Sequence, residues 1–242
     1  MTSQEKADIY CLLKTASSAV LGFEDTSFSG EISFSDDPVM DENPQPATRA
    51  REGLSLDTLY EKIRSCRNCQ LHATRTNAVP GEGVQNPLVM VIGEGPGEDE
   101  DKTGRPFVGK AGQLLDKMLA AISLDRNRNC YIANIVKCRP PNNRTPFPQE
   151  AESCSGYLQA QIHILKPKAI LAMGRTAVQN LLKTDEGINA LRGKILDLNG
   201  IPLLATYHPS ALLRNVDLKR PAWNDLKVFR EKLLALCPDY ER

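Results

Sequence analysis

The ten residues from Leu88 to Gly97, LVMVIGEGPG, decide the fold class of this chain. The consecutive apolar residues 88–92 predict a short strand that is buried on both faces, and the glycines that follow predict a tight turn. Three further short apolar runs, each closed by polar residues or glycine, predict strands at 131–136, 169–173 and 202–206. We therefore expect a sheet of four buried strands.

Segments with helical periodicity lie between or after these strands, at 110–122, 148–164, 175–182 and 223–236. Parallel strands need helical crossovers, so the alternation predicts an α/β fold with a mostly parallel four-stranded sheet that is covered on both faces. Binding and catalytic sites in such folds lie at the carboxyl ends of the strands. We expect the functional site where those ends carry the 93–97 turn, 137–141, Gly174 and 207–209.

The composition favours a soluble protein over a membrane protein. Of the 242 residues 41% are hydrophobic and 25% are charged, and no apolar run approaches the roughly 18 residues that a membrane helix needs. The apolar run at 9–13 is interrupted by Lys14 and lacks the features of a signal peptide. We expect a cytoplasmic monomer with no membrane contact.

Charge is distributed unevenly along the chain. Residues 1–53 carry 4 Lys/Arg against 10 Asp/Glu, whereas residues 54–242 carry 26 against 20. Because the stretch 22–53 is acidic and poor in apolar residues, 1–53 is predicted to be a flexible extension with an amphipathic helix at about 4–21. Its phenylalanines are candidates for docking a protein partner, although loosely packed aromatics explain them as well. Residues 54–242 are predicted to form one catalytic domain, and their mild positive charge suits a phosphate backbone.

Four of the seven cysteines are candidate metal ligands: Cys66 and Cys69 form a C-x2-C pair, and Cys138 and Cys154 form a second pair. In a chain without secretion features thiols stay reduced, which favours metal ligation over disulfides. Four thiolates form either a zinc site or an iron-sulfur cluster, and spacing alone does not decide between the two. A coincidental or redox-active pair is the alternative, but a redox C-x2-C is expected to open a helix directly after a strand.

The turn from Gly93 to Gly97 superficially suggests a phosphate-binding loop. Such a loop needs a Lys and a Ser or Thr that open a helix, whereas here four acidic residues follow at 98–101 and would repel phosphate. The small residues instead allow a flat ligand to approach the backbone N–H groups. We expect a planar ligand at this turn rather than a nucleotide phosphate.

His208, one of three histidines, directly follows the last predicted strand. A histidine chosen at random is more often structural than catalytic, but the carboxyl end of a strand favours a catalytic role. Leu212, Leu213 and Arg214 follow shortly after it. Leucines usually belong to the core, yet beside an arginine they also suit an apolar wedge for a base stack next to a phosphate clamp.

Five ordered elements together resemble the family 4 uracil-DNA glycosylases, the iron-sulfur branch of the uracil-DNA glycosylase superfamily. In chain order they are the Cys66/Cys69 pair, residues 93–109, Asn134 with 137–141, Cys154, and His208-Pro209-Ser210. The resemblance covers about residues 56–236. It implies a three-layer αβα fold, a [4Fe-4S] cluster on the four cysteines, and excision of uracil from single- or double-stranded DNA.

The resemblance also implies a role for individual residues. Phe107 is expected to stack on the flipped uracil, Asn134 to read its O4 and N3–H edge, and His208 to stabilise charge on O2 as the glycosidic bond breaks. The expected substrate-binding residues are Gly93, Gly95, Glu100, Phe107 and Asn134. The expected DNA-binding residues are Ser210, Leu212, Leu213, Arg214 and Lys110.

One position departs from the wider superfamily. The best-studied branch carries an Asp at the third position of the turn to orient the attacking water, and here that position is Gly95. Glu94 is the preferred substitute, with Glu98 and Glu100 as further candidates, so that the expected catalytic set is His208, Glu94 and Asn134. A covalent-trapping relative has an additional His in a loop after the turn, which this chain lacks, so we expect turnover.

Two other classes of function compete with this interpretation. A non-catalytic iron-sulfur module that binds DNA or a polymerase would keep the fold and the cluster, but the joint presence of Phe107, Asn134 and His208 speaks against it. An electron-transfer or radical enzyme would be expected to cluster its ligands more tightly or to leave a cluster position open. Activity on other deaminated bases remains an open alternative within the glycosylase class.

Overall fold

The structure of the protein is a computed structural model, which describes residues 55–241. The predicted acidic extension at 1–53, its helix at 4–21 and its candidate docking phenylalanines lie outside the described residues.

A six-stranded sheet forms the centre of the described chain. Its strands are β1 (Glu82–Gly83), β2 (Val89–Gly93), β3 (Cys130–Asn134), β4 (Ala169–Met173), β5 (Ile195–Leu198) and β6 (Ile201–Thr206). Their order across the sheet is β1-β3-β2-β4-β6-β5. The four inner strands are parallel, whereas β1 and β5 pair antiparallel with the two edges.

The four inner strands are those that the apolar runs predict, which confirms the mostly parallel centre of the sheet. Two edge strands, β1 and β5, extend it beyond the four predicted. β1 has only two residues, and Asp197 interrupts the apolar residues of β5, so neither forms an apolar run.

Eight α-helices surround the sheet in the described residues. They are α1 (Leu56–Ser65), α2 (Glu98–Thr103), α3 (Lys110–Ala120), α4 (Pro148–Leu165), α5 (Arg175–Leu182), α6 (Ile188–Leu191), α7 (Pro209–Arg214) and α8 (Lys219–Leu236). The four predicted helices correspond to α3, α4, α5 and α8. Among residues 55–241 no helix has both the length and the apolar character that a bilayer crossing requires.

Two hydrophobic cores lie on the opposite faces of the sheet. Successive side chains of a strand point to opposite faces, so Met90 and Ile92 of β2 join one core while Val89 and Val91 join the other. The first core contains residues of α1, α4 and α5, and the second contains residues of α3, α7 and α8. The result is a three-layer αβα arrangement.

The parallel strands bring their carboxyl ends together at one edge of the sheet. Gly93, the last residue of β2, pairs with Asn134, the last residue of β3, and Met173 of β4 pairs with Thr206 of β6. The turn after β2 and the loop after β6, with β4 between the two strands, therefore emerge at the same edge of the sheet, as expected for a site at a carboxyl edge.

Candidate active site

A cavity of about 650 Å³ opens at this carboxyl edge. Its walls are the turn after β2, the loop before α3, the end of β3 and the loop between β6 and α7. The predicted catalytic and substrate-binding residues that line it are Glu94, Gly95, Glu100, Phe107, Asn134 and His208. The sequence-predicted residues thus converge on one space that is large enough for a planar heterocycle.

The aromatic rings of Phe107 and His208 meet in this cavity. Their centroids are 5.5 Å apart and the ring planes are tilted by 34°. Phe107 is only 5% exposed, although its backbone has a φ of 53°, in the left-handed region that is unfavourable for a residue other than glycine. Neighbouring groups must therefore hold this backbone in place.

Two charged side chains hold the loop around Phe107. The carboxylate of Glu100 accepts hydrogen bonds from the backbone N–H groups of Val108 at 2.8 Å and Gly109 at 2.9 Å. The guanidinium of Arg126 donates to the carbonyl oxygen of Phe107 at 3.0 Å. Because the Glu100 carboxylate is engaged with the backbone, it shapes the pocket wall and is not a free acceptor.

Gly93 allows the amide of Asn134 to lie against the ring of Phe107. A Cβ atom at Gly93 would lie 2.5 Å from Asn134 Oδ1 and 2.5 Å from Phe107 Cζ, so only glycine fits there. Asn134 is 1% exposed, and its Oδ1 atom is buried without a hydrogen-bond partner among residues 55–241. An unsatisfied buried acceptor costs about 1–3 kcal/mol, which a ligand that donates to it would recover.

The hydrogen bonds of His208 determine which ring nitrogen carries the proton. The backbone N–H of Ser210 donates to His208 Nδ1 at 3.2 Å, and Ser210 Oγ lies 2.9 Å from the same atom. Since Nδ1 accepts, the proton of the neutral ring is on Nε2. Burial lowers the pKa of His208 to about 4, and the positive charge of Arg214 contributes further. At neutral pH His208 is therefore an uncharged hydrogen-bond donor.

Glu94 is held by a partner that the sequence does not reveal. Its carboxylate accepts a hydrogen bond from the hydroxyl of Thr176, which is buried at the start of α5 and also lines the cavity. At Gly95, a Cβ atom would lie 2.7 Å from Val136 Cγ2, so a carboxylate side chain has no room at that position without a shift of the neighbour. Glu94 is consequently the carboxylate of the turn that faces the cavity.

The predicted DNA-binding residues separate into two groups. Lys110, Ser210 and Arg214 line the same cavity, and Leu213 projects from α7 with 47% of its surface exposed. Leu212 is only 2% exposed and packs in the core between the sheet and the helices α3 and α8. The interpretation of Leu212 as a DNA wedge is therefore corrected, because its side chain stabilises the fold and does not reach the surface.

The four cysteines border a second, small cavity between α1, the start of the segment after β3, and α4. Cys66, Cys69, Cys138 and Cys154 all line it. The guanidinium of Arg75 donates to Cys138 Sγ at 2.9 Å, and the backbone N–H of Asn68 donates to Cys66 Sγ at 3.5 Å. The segments that carry the two cysteine pairs thus meet in space, although Cys69 and Cys138 are 69 positions apart in the sequence.

The chemistry of this donor set, four thiols around one cavity, fits a thiolate-bound metal group. Among residues 55–241 no set of three or more His, Cys, Asp and Glu side chains is arranged to hold one metal ion. Four thiols around one cavity nevertheless match the ligand set of an iron-sulfur cluster, which is larger than one ion and spaces its ligands more widely. Burial raises the pKa of Cys154 to about 11 and also raises the pKa of Cys138, so both are protonated thiols when no metal binds.

Comparison with known proteins supports the interpretation of this geometry. The model of the family described as the Uracil DNA glycosylase superfamily matches residues 80–227, which include the cavity residues from Glu94 to Arg214. The chain belongs to the uracil DNA glycosylase superfamily. Membership agrees with the αβα layers and with the parallel centre of the sheet.

Individual members of the superfamily match this chain over nearly their whole length. A type-4 uracil-DNA glycosylase of Thermotoga maritima is 45% identical over 181 residues, 73% of this chain and 93% of that protein. A type-4 uracil-DNA glycosylase of Archaeoglobus fulgidus is 43% identical over 185 residues, 73% of this chain and 92% of that protein. The corresponding enzyme of Pyrobaculum aerophilum is 44% identical over 184 residues, 73% of this chain and 93% of that protein.

Sequence reasoning missed three residues that organise this superfamily site, Arg126, Thr176 and Arg75. Each acts on a partner far away along the chain: Arg126 on the Phe107 loop, Thr176 on Glu94, and Arg75 on Cys138. No local motif marks them, because an arginine or threonine in isolation is usually a solvated surface residue. Only the packing of the layers shows their roles.

Proposed function

We propose that this protein excises uracil from DNA by hydrolysing the bond between the base and the sugar, leaving an abasic site. One observation carries the proposal: Oδ1 of Asn134, which has no hydrogen-bond partner among residues 55–241, lies in a cavity that it shares with the ring of Phe107 and the imidazole of His208. An acceptor, a flat apolar face and a neutral donor are the three features that a flipped uracil requires. The naming of the relatives as type-4 uracil-DNA glycosylases supports the same activity.

Base discrimination is proposed to originate at Asn134. Its Oδ1 would accept a hydrogen bond from uracil N3–H, and its amide nitrogen would donate to O4. Cytosine presents an amine and an unprotonated nitrogen at these positions, so it would leave both atoms of the amide unpaired. With about 1–3 kcal/mol lost for each unpaired buried group, this mismatch is enough to exclude cytosine.

His208 is proposed to stabilise the departing base. As the glycosidic bond breaks, negative charge develops on uracil O2 while the sugar becomes oxocarbenium-like. The Nε2–H of the neutral imidazole would donate to this oxygen, and Ser210 keeps the ring in the required tautomer. Removal of one such preorganised donor typically reduces the rate by roughly 10²–10³.

Glu94 is proposed to orient the attacking water. The competing candidates are otherwise engaged: Glu98 pairs with Lys102 and Arg139, and the carboxylate of Glu100 accepts from backbone N–H groups. The hydroxyl of Thr176 leaves the second oxygen of Glu94 available for water. A water held there could lose its proton to the carboxylate after attack on the sugar.

The DNA strand is proposed to run past α7. Leu213 would fill the gap that the flipped base leaves, and Arg214, Lys110 and Ser210 would contact the backbone near the cavity. Extrusion of a base costs a few kcal/mol, which these contacts would offset.

We further propose that Cys66, Cys69, Cys138 and Cys154 hold a [4Fe-4S] cluster. When bound, such a cluster would serve as a closed structural tie between α1, the segment after β3, and α4. The shared cavity and the all-thiol donor set support this ligand assignment.

The activity is tested with an oligonucleotide that contains one uracil. The wild-type protein is expected to release free uracil, detected by chromatography, and to leave an alkali-labile site, whereas oligonucleotides with thymine or cytosine remain intact. His208→Ala and Asn134→Ala should each lose most of the activity. The absence of uracil release by the iron-containing wild-type protein would reject the function, and undiminished release by both variants would reject the site.

A further inference from the structure

Lys137 is a buried cation between the two cavities. It is 1% exposed and lines the cysteine cavity, and its Nζ donates a hydrogen bond to the backbone carbonyl oxygen of Asn134 at 2.7 Å. One side chain therefore touches both the segment that carries Cys138 and the residue whose amide faces the active-site cavity.

No carboxylate within residues 55–241 forms an ion pair with Lys137. Lys137 lines the same cavity as Cys138 and Cys154. An ammonium buried without a counter-charge is strongly unfavourable. Thiolates that bind iron do carry negative charge, so the metal-bound state supplies the missing counter-charge.

The backbone around Lys137 is fixed to the active-site turn. Val79 donates its N–H to the Lys137 carbonyl oxygen at 2.7 Å, and the N–H of Ile135 donates to the Gly93 carbonyl oxygen at 2.9 Å. The ammonium adds a further hydrogen bond to this segment, at the carbonyl oxygen of Asn134. Displacement of the ammonium would leave the Asn134 carbonyl without that donor and would free the residue that presents the amide.

We propose that Lys137 is a positioning residue that links the cysteine site to base recognition: its charge is balanced by the cluster thiolates, and its hydrogen bond fixes Asn134. The inference rests on the proposed function, since it assigns the purpose of Asn134 to uracil recognition. It requires no redox step.

Two substitutions separate the charge from the hydrogen bond. Lys137→Gln removes the charge but keeps a donor for the Asn134 carbonyl oxygen, whereas Lys137→Met removes both. In the iron-loaded proteins, both variants are expected to shift the cluster reduction potential to more negative values, because a positive charge beside the cluster favours its reduced form. Only Lys137→Met should raise KM for a uracil-containing oligonucleotide, about tenfold with kcat within about threefold, since ground-state and transition-state binding weaken together.

Iron content and thermal unfolding are measured on every variant. Should both neutral variants lose iron, Lys137→Arg, which restores the charge, must recover it; its failure to do so would overturn the proposal. An unchanged reduction potential in both neutral variants, or equal KM values for Lys137→Met and wild type, would also overturn it. The shift in reduction potential is independent of catalysis. A wild-type protein that releases no uracil would therefore refute the proposed function, whereas the reduction potentials of the variants would still test the charge of Lys137 beside the cluster.

Discussion

The rings of Phe107 and His208 lie 5.5 Å apart at a tilt of 34°, so a base stacked on Phe107 presents one edge to the imidazole. Stacking on an aromatic side chain contributes about 1–3 kcal/mol per base. Phe107→Ala should therefore lower kcat/KM for uracil excision about tenfold to a hundredfold, as measured in single-turnover assays. Phe147→Ala is the matched control, because Phe147 is 55% exposed and does not line the cavity. Equal losses in both variants would contradict stacking at Phe107.

Glu100 should be important for both stability and activity although its carboxylate faces the backbone. Glu100→Ala leaves the N–H groups of Val108 and Gly109 without their acceptor, so we expect about 1–3 kcal/mol of lost stability and slower excision. Urea unfolding and the excision assay report the two effects. Glu98→Ala, on the same helix but exposed to solvent, should lower the unfolding midpoint less than Glu100→Ala, because it loses only exposed ion pairs, and should leave the activity unchanged.

The neighbouring leucines of α7 should have opposite phenotypes. Leu213→Ala is expected to slow excision from paired DNA about tenfold while excision from single strands changes little, because only a duplex needs its gap filled. Leu212→Ala should instead cost about 2–5 kcal/mol in unfolding free energy, since its side chain is buried. If Leu213→Ala slowed excision equally from single-stranded and paired DNA, Leu213 would not be the wedge.

The buried imidazole of His208 makes stability depend on pH. Its folded pKa is about 4, below the ordinary value of 6.5 for histidine, so the unfolded chain binds the extra proton first as pH falls. Its contribution is fully present above pH 6.5 and is lost as pH falls to about 4, a difference of about 3 kcal/mol. Urea unfolding of wild type and His208→Asn between pH 4 and pH 8 measures this difference. Parallel stability curves for the two proteins would mean that His208 titrates normally.

The sequence predicts the inner sheet because each buried strand is an apolar run and each crossover is a periodic helix. It does not predict α2, because the four acidic residues of this helix suggest a loop. In the structure Glu98 and Asp99 lie in the first helical turn, where negative charge is favourable. It also misses α7, a six-residue helix that His208 itself caps by accepting from the N–H of Ser210. Short elements of this kind depend on capping and packing more than on periodicity.

At the site, the residues that face the ligand could be predicted, but the residues that hold them could not. Phe107, Asn134 and His208 lie in recognisable motifs, Phe107 in the loop before α3 and the other two at strand ends. Arg126 and Thr176 have no such signal, because their partners lie 19 and 82 residues away and only the tertiary structure brings them together. The wrong assignment of Leu212 has the same cause, since the sequence does not show which of two adjacent leucines faces the core.

The central claim is that Phe107, Asn134 and His208 act on one extruded base. The most direct measurement is a crystal structure of the iron-loaded protein with an oligonucleotide that carries an uncleavable 2′-fluoro-deoxyuridine. We expect the uracil ring to stack on Phe107, with N3–H donating to Asn134 Oδ1 and O2 accepting from His208 Nε2. A base that remains in its helical stack, or that binds where Asn134 Oδ1 stays unpaired, would contradict the account.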